Sequence, residues 1–241
     1  MSAPPPPDDA LRRLHERIAR GLGHDLRTPL GTIVNCASLL DGGDAPDAAT
    51  VRDAAARIRR QASALADASQ LLADALRIAA QPPALRSGAP LTLLRALAEE
   101  IGAGVRLREA PAGAAAVPAA LALDARRVGY AWRTFLAIER TARATLPAEA
   151  DVRVARSAAD ASIELGFDGA LAAAPAWVAP PDWARSAESR LAPLARLTLE
   201  VGGDLLAATG GTLEVAGAPG RGSALRLRLP IAAAPPAELA E

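Results

Sequence analysis

The stretch Gly23-His24-Asp25-Leu26-Arg27-Thr28-Pro29-Leu30 lies inside a long helical pattern. Around it, apolar residues recur at Leu11, Leu14, Ile18, Leu22, Leu26, Ile33, Ala37 and Leu40. Their spacing averages close to the ~3.6-residue helical repeat and marks one buried face. On a wheel of ~100° per residue, Leu22, Leu26, Pro29 and Ile33 share a narrow stripe. His24 falls almost opposite that stripe, with Thr28 one turn later beside it. The imidazole is therefore predicted to face water while the apolar stripe faces a partner helix. Pro29 removes a backbone donor and crowds the preceding turn, so it predicts a kink. A helix end is the plainer alternative, but the apolar pattern resumes through Ile33 and Leu40.

Further outward, Asp41-Gly42-Gly43-Asp44-Ala45-Pro46 supplies turn residues. A second helix follows from Asp47 or Thr50, with Val51, Ile58, Leu65, Leu72 and Ala79 spaced by seven and Ala54, Ala62, Ala68 and Ala75 as a companion seam. Gln81-Pro82-Pro83 stops it. Residues 10–80 thus read as a helical hairpin behind a disordered Pro-rich lead (1–9), with Asp8 or Asp9 placed to cap the first helix. A lone hairpin leaves an apolar flank bare, and pairing two copies into a four-helix bundle covers it, so a homodimer is predicted.

After a linker at 81–90 the pattern changes. Residues 91–232 read as an α+β sandwich. A helix covers Leu91–Ile101, a short strand Val105–Arg108, and an Ala-rich loop 112–120. Asp124 is placed to cap a helix reaching about Thr145. Val152–Ala155 and Ser162–Leu165 alternate as paired strands. Trp177–Asp182 is irregular, 187–208 is helical with Gly202-Gly203 softening it, and Thr212–Val215 and Ala224–Leu229 form a strand pair around Pro219-Gly220-Arg221-Gly222. Residues 233–241 read as a disordered tail.

Composition narrows the function classes. The 241 residues carry 27 basic and 27 acidic side chains, every basic one an arginine. A neutral balance leaves no electrostatic footprint for nucleic acid or an anionic membrane. No run of ~18 apolar residues is present, so no membrane span is predicted. The N-terminus has no basic start followed by an apolar stretch, so no secretory signal is read. Together these point to a cytoplasmic protein. The single Cys36 excludes an internal disulfide, and its apolar helical setting predicts a buried, inert thiol. Aromatics are only 2% of the chain, which predicts a core built from Ala, Leu, Val and Ile.

The chemistry available to His24 follows from its surroundings. Neutral imidazole, with an ordinary pKa of ~6.5, is a nucleophile near neutrality. A carboxylate that holds one ring nitrogen protonated leaves the other free to attack, and Asp25 is the candidate. Neighbouring residues on a helix do not face one another well, so spacing alone does not establish that contact. An ordinary surface histidine is the plainer alternative for His24, and His15 reads as one.

His24-Asp25-Leu26-Arg27-Thr28-Pro29-Leu30 closely resembles the phosphoacceptor box of the dimerisation and histidine-phosphotransfer domain of two-component sensor histidine kinases. The resemblance implies that His24 is phosphorylated. It implies that Asp25 acts as its base or orients it, and that Thr28 helps position water during dephosphorylation of a response regulator. It spans about residues 10–80. The closing strands, from Gly210-Gly211 to Pro230, resemble the kinase ATP-binding domain. That resemblance implies three nucleotide boxes, and all three depart from the pattern. Arg140 stands where an Asn would ligate Mg²⁺, and a cation is no ligand for Mg²⁺. Asp168-Gly169 is a shifted remnant of the adenine-binding loop. Arg196-Leu197-Thr198-Leu199 replaces a Gly-x-Gly-Leu phosphate cradle, where missing side chains allow close backbone approach.

Three functional readings follow. The first is a dimeric phosphotransferase passing phosphoryl groups through His24 to or from receiver-domain aspartates, without a cofactor of its own. The second is an ATP- and Mg²⁺-dependent histidine autokinase. The third is a pseudokinase scaffold docking a kinase or response regulator. The expected partners are a response-regulator receiver domain, a second copy and, in some readings, a cognate histidine kinase. Arg20, Arg27 and Thr28 are candidate docking residues.

Overall fold

A computed structural model describes residues 7–42, 46–110, 120–143, 145–156, 160–172, 175–180, 193–218 and 222–230. The lead at 1–6, most of the Ala-rich loop, residues 181–192, the tip of the last hairpin and the tail lie outside the described residues.

Three helices open the chain: α1 (Pro7–Asp25), α2 (Arg27–Leu40) and α3 (Ala48–Ala79). Helix α1 begins at Pro7, which shortens the predicted lead. Asp8 and Asp9 therefore fall within the helix rather than before it. The helix is interrupted at Leu26, three residues ahead of Pro29, for which a kink is predicted. Leu26 keeps helical angles (φ −74°, ψ −25°), and the ladder resumes with Leu30 N–H donating to Leu26 O at 3.1 Å. Pro29 has no N–H to offer the carbonyl one turn back, so the ladder opens just ahead of it. Asp47 caps α3 by accepting from the Ala49 and Thr50 N–H groups.

The hairpin is closed only in part. Helix α2 lies along α3, but α1 leans mainly on a helix from the C-terminal half, α6 (Pro193–Ala207). Leu14 and Ile18 of α1, Leu72, Ala75 and Ile78 of α3, and Leu197, Val201 and Leu205 of α6 form one buried cluster. The seam predicted for a helical pair is thus filled by a third helix. On the other half of the hairpin Leu30, Val34, Leu39 and Val51 remain exposed. Ala62, read as part of the seam, is exposed, and Cys36 is half-buried rather than buried.

The rest is α+β, as predicted. Strands β2 (Arg106–Glu109), β4 (Glu149–Arg156), β5 (Asp160–Gly166), β7 (Ser223–Pro230) and β6 (Thr212–Gly217) form one sheet in that order. Only β2 and β4 run parallel. The predicted linker at 81–90 contains a strand, β1 (Leu85–Gly88), which pairs antiparallel with β3 (Leu121–Asp124). Such a pairing between distant segments leaves no local signal in either.

Period-two alternation sorts the sheet faces. Val152, Ile163, Leu165, Leu213, Leu225 and Leu227 join a core with Leu94 and Leu97 of α4 (Pro90–Glu100), Trp132, Phe135 and Leu136 of α5 (Ala125–Ala142), and Leu199 and Leu206 of α6. The opposite face is polar: Glu164 pairs with Arg153 and Arg226, and Glu214 pairs with Arg226 and Arg228. Aliphatic residues dominate this core, yet Trp132, Phe135 and Phe167 are buried in it and Tyr130 is buried in the cluster with α1, α3 and α6, so these aromatics are concentrated where area matters most.

Asp124 caps α5 as predicted, accepting from the Arg126 and Arg127 N–H groups. It also accepts from Ala84 N–H at 3.1 Å and pairs with the buried guanidinium of Arg127. Burial pushes its carboxyl up, but the Ala84 and Arg127 N–H groups and the Arg127 charge together hold it below the ordinary carboxylate value. A depressed folded pKa stabilises the fold above the unfolded value of about 3.9, and this is lost as pH falls through the folded value. Asp124→Asn leaves Arg127 buried without a counter-charge and is expected to cost roughly 3–5 kcal/mol at neutral pH. In urea unfolding, the gap to wild type should narrow as the pH drops below about 4.

Candidate functional site

His24 and Asp25 sit at the C-terminal end of α1, immediately before the kink. The His24 side chain is 79% exposed and that of Asp25 is 3% exposed. The His24 ring donates from Nδ1 to Asp25 Oδ1 at 2.8 Å. The contact that helical spacing left open is therefore made. With Nδ1 occupied, Nε2 is left as the solvent-facing nitrogen with an available lone pair.

Asp25 stands between two cavities. One, of about 500 Å³, is bordered by His24, Arg13, Arg20 and, from α6, Arg196 and Glu200. The other, of about 190 Å³, is bordered by Thr28, Pro29, Thr134 and Ala195. Thr28 is thus exposed on α2 as predicted, but it opens onto the second cavity while His24 opens onto the first. The three predicted site residues share the Asp25 carboxylate as a wall; only His24 and Asp25 are hydrogen-bonded. Thr28 instead accepts at its carbonyl from the Thr32 hydroxyl at 3.1 Å. Arg20 and Arg27, the candidate docking residues, are exposed.

Helix α6 supplies residues that motif reading did not assign to this site. The Arg196 guanidinium lies 3.6 Å from Asp25 Oδ1 and 3.7 Å from Glu200 Oε1. Arg17 of α1 pairs with Glu200 at 2.7 Å and with Asp204. The Arg17 side chain is more than a third exposed, so these pairs contribute about 0–1 kcal/mol each. Burying each of Leu197, Val201 and Leu205 contributes roughly 1.5–3 kcal/mol. The apolar seam therefore holds α6 to the hairpin, and the ion pairs set its rotation.

No family model matches the chain, and no curated protein matches it. Solved structures do. One is the histidine kinase ThkA in complex with the response regulator protein TrrA, with a TM-score of 0.52 and 13% identity over 93% of this chain and 64% of that one. The chain has a histidine-kinase-like fold. The Acinetobacter baumannii histidine kinase AdeS also aligns, at TM-score 0.45 and 14% identity over 87% of this chain and 98% of that one. Full-length ShkA in complex with AMPPNP aligns at TM-score 0.41 and 19% identity over 89% and 45%. This chain spans less than two thirds of the length of ThkA and of ShkA.

The side chains that the sequence places at the three nucleotide boxes make contacts within the protein. The Arg140 guanidinium lies on the Ala103 carbonyl at 3.4 Å. The Asp168 carboxylate, at a residue with φ of 54°, is paired with Arg143 at 2.8 Å. Arg143 in turn pairs with the buried Glu139 at 2.6 Å and covers the Phe167 ring, which stacks on Phe135. Thr198 is buried, its hydroxyl donating to the Ala195 carbonyl at 3.1 Å.

Gly21, one turn before His24, lies close against Leu197 of α6. A Cβ there would lie 2.5 Å from a terminal carbon of Leu197. Gly21→Val is therefore expected to overpack this seam and destabilise the protein by about 1–3 kcal/mol. Leu197→Ala in the same chain should recover part of the loss, as read by thermal unfolding of the single and double variants.

Proposed function

We propose that the protein is a two-component phosphotransfer protein in which His24 accepts a phosphoryl group from, and returns it to, the aspartate of a response-regulator receiver domain. The observation that carries this reading is the His24–Asp25 pair. It joins an exposed imidazole to a buried carboxylate that fixes Nδ1 as the donor and leaves Nε2 open to a large partner. Nε2 attacks phosphorus, the P–O bond to the donor aspartate breaks, and the aspartate leaves as a carboxylate. The imidazolium so formed keeps its proton on Nδ1, hydrogen-bonded to the Asp25 carboxylate. Phosphoryl transfer of this kind depends on positioning and charge. Thr28, one turn from His24, is the residue proposed to help position water in any dephosphorylation.

The side chains at the three nucleotide positions do not suit Mg-ATP. Arg140 offers a cation where a metal ligand is needed, and Arg143 already holds the Asp168 carboxylate. Arg196 and Thr198 carry side chains where backbone would have to approach phosphates. We therefore favour transfer between receivers over autophosphorylation, with the α+β region as a structural unit. The solved assembly of ThkA with a response regulator supports a receiver as the partner.

The exposed apolar stripe on α2 and the start of α3 supports a homodimer in which a second hairpin completes a four-helix bundle. Leu30→Asp together with Val34→Asp should shift the purified protein from dimer to monomer in sedimentation velocity.

The decisive measurement incubates the protein with a panel of phosphorylated receiver domains, and separately with Mg-ATP. Acid-labile phosphate is expected on wild type after exposure to a receiver and absent from His24→Gln, which should remain a folded dimer. Labelling of His24 from Mg-ATP would favour the autokinase. Stable receiver binding with no phosphate uptake would favour a scaffold.

A further inference from the structure

We propose that Arg196, which borders the cavity holding His24, is a positioning residue that turns the buried Asp25 carboxylate toward the imidazole and so selects the ring tautomer with Nε2 free. This builds on the reading of His24 as the phosphoacceptor.

Four features of the site support it. His24 and Asp25 are adjacent on a helix, about 100° apart, and have no intrinsic reason to face one another. Asp25 borders both cavities at the kink, so its carboxylate has two directions in which to point. Arg196 borders only the cavity that contains His24. The Asp25 oxygen that accepts from His24 Nδ1 is also the oxygen nearest Arg196, at 2.8 Å and 3.6 Å respectively. A positive charge on that side favours the carboxylate orientation that His24 needs. Arg196 is itself placed by Glu200, one turn on in α6, and the seam of Leu197, Val201 and Leu205 fixes the helix that carries both. A long side chain here thus does for Asp25 what the smallest residue could not.

The chain contains two histidines, His15 and His24, so imidazole nitrogen signals can be assigned with a His15→Gln background. In full-length protein with ¹⁵N-labelled histidine, held at a pH where the ring is neutral, His24 is expected mainly as the Nδ1–H tautomer. Arg196→Ala should move the tautomer ratio at least threefold toward Nε2–H, and Arg196→Lys should restore most of it. Phosphoramidate serves as a small phosphoryl donor: Nε2 attacks phosphorus, the P–N bond breaks and ammonia leaves. Its rate of labelling His24 should fall about fivefold or more in Arg196→Ala, and the half-saturating donor concentration should change little.

An unchanged tautomer ratio in a folded Arg196→Ala protein overturns the proposal. So does slower labelling without a tautomer change, which would mean that Arg196 touches the phosphoryl group instead. If wild type takes no phosphate from phosphoramidate or from any receiver, the phosphoacceptor reading fails. The tautomer comparison still decides the role of Arg196 in that case.

Discussion

Helix α6 is apolar on two faces, and the rest of the molecule is arranged around that constraint. Leu199 and Leu206 pack into the sheet core, while Leu197, Val201 and Leu205 pack among Leu14, Ile18, Leu72 and Ile78 of the helical region. A helix buried on both sides cannot be withdrawn from either body without exposing several leucine-sized side chains. It therefore joins the two halves of the chain into one packed unit, and it explains why α1 leans away from α3. The same burial places the polar edge of α6, with Arg196 and Glu200, against the end of α1 where His24 and Asp25 lie.

This arrangement makes the α+β region a support for the end of α1. The first turns of α6 carry Arg196 and the buried Thr198. Arg196 reaches across to the His24–Asp25 pair. Arg143 ties Glu139 to Asp168 over a stacked pair of phenylalanines. These side chains serve as internal struts of the α+β region.

The kink at Leu26 links the backbone to the chemistry. Pro29 leaves the Asp25 carbonyl without its helical donor, and Leu30, the next residue, restores the ladder by donating to Leu26. His24 consequently ends one helix rather than lying within a longer one, with its side chain in solvent and the adjoining carboxylate turned inward.

Much of this was written locally in the chain. The apolar period around His24 placed the imidazole outward, Pro29 announced the kink, Asp124 announced its cap, and alternation in Val152–Ala155 and Ser162–Leu165 announced paired strands, because each depends on residues within a turn or two. Contacts between distant segments were not legible. β1 was hidden inside a Pro-rich linker because its partner β3 is far along the chain, and the hairpin read as closed because nothing local shows α6 entering its seam. The hydrogen bond from His24 to Asp25 was undecided for the same reason. Its geometry depends on how a buried carboxylate is oriented by a kink on one side and a guanidinium from α6 on the other. The local sequence named the residue and its exposure; only packing between remote helices decided which way its neighbour's charge points.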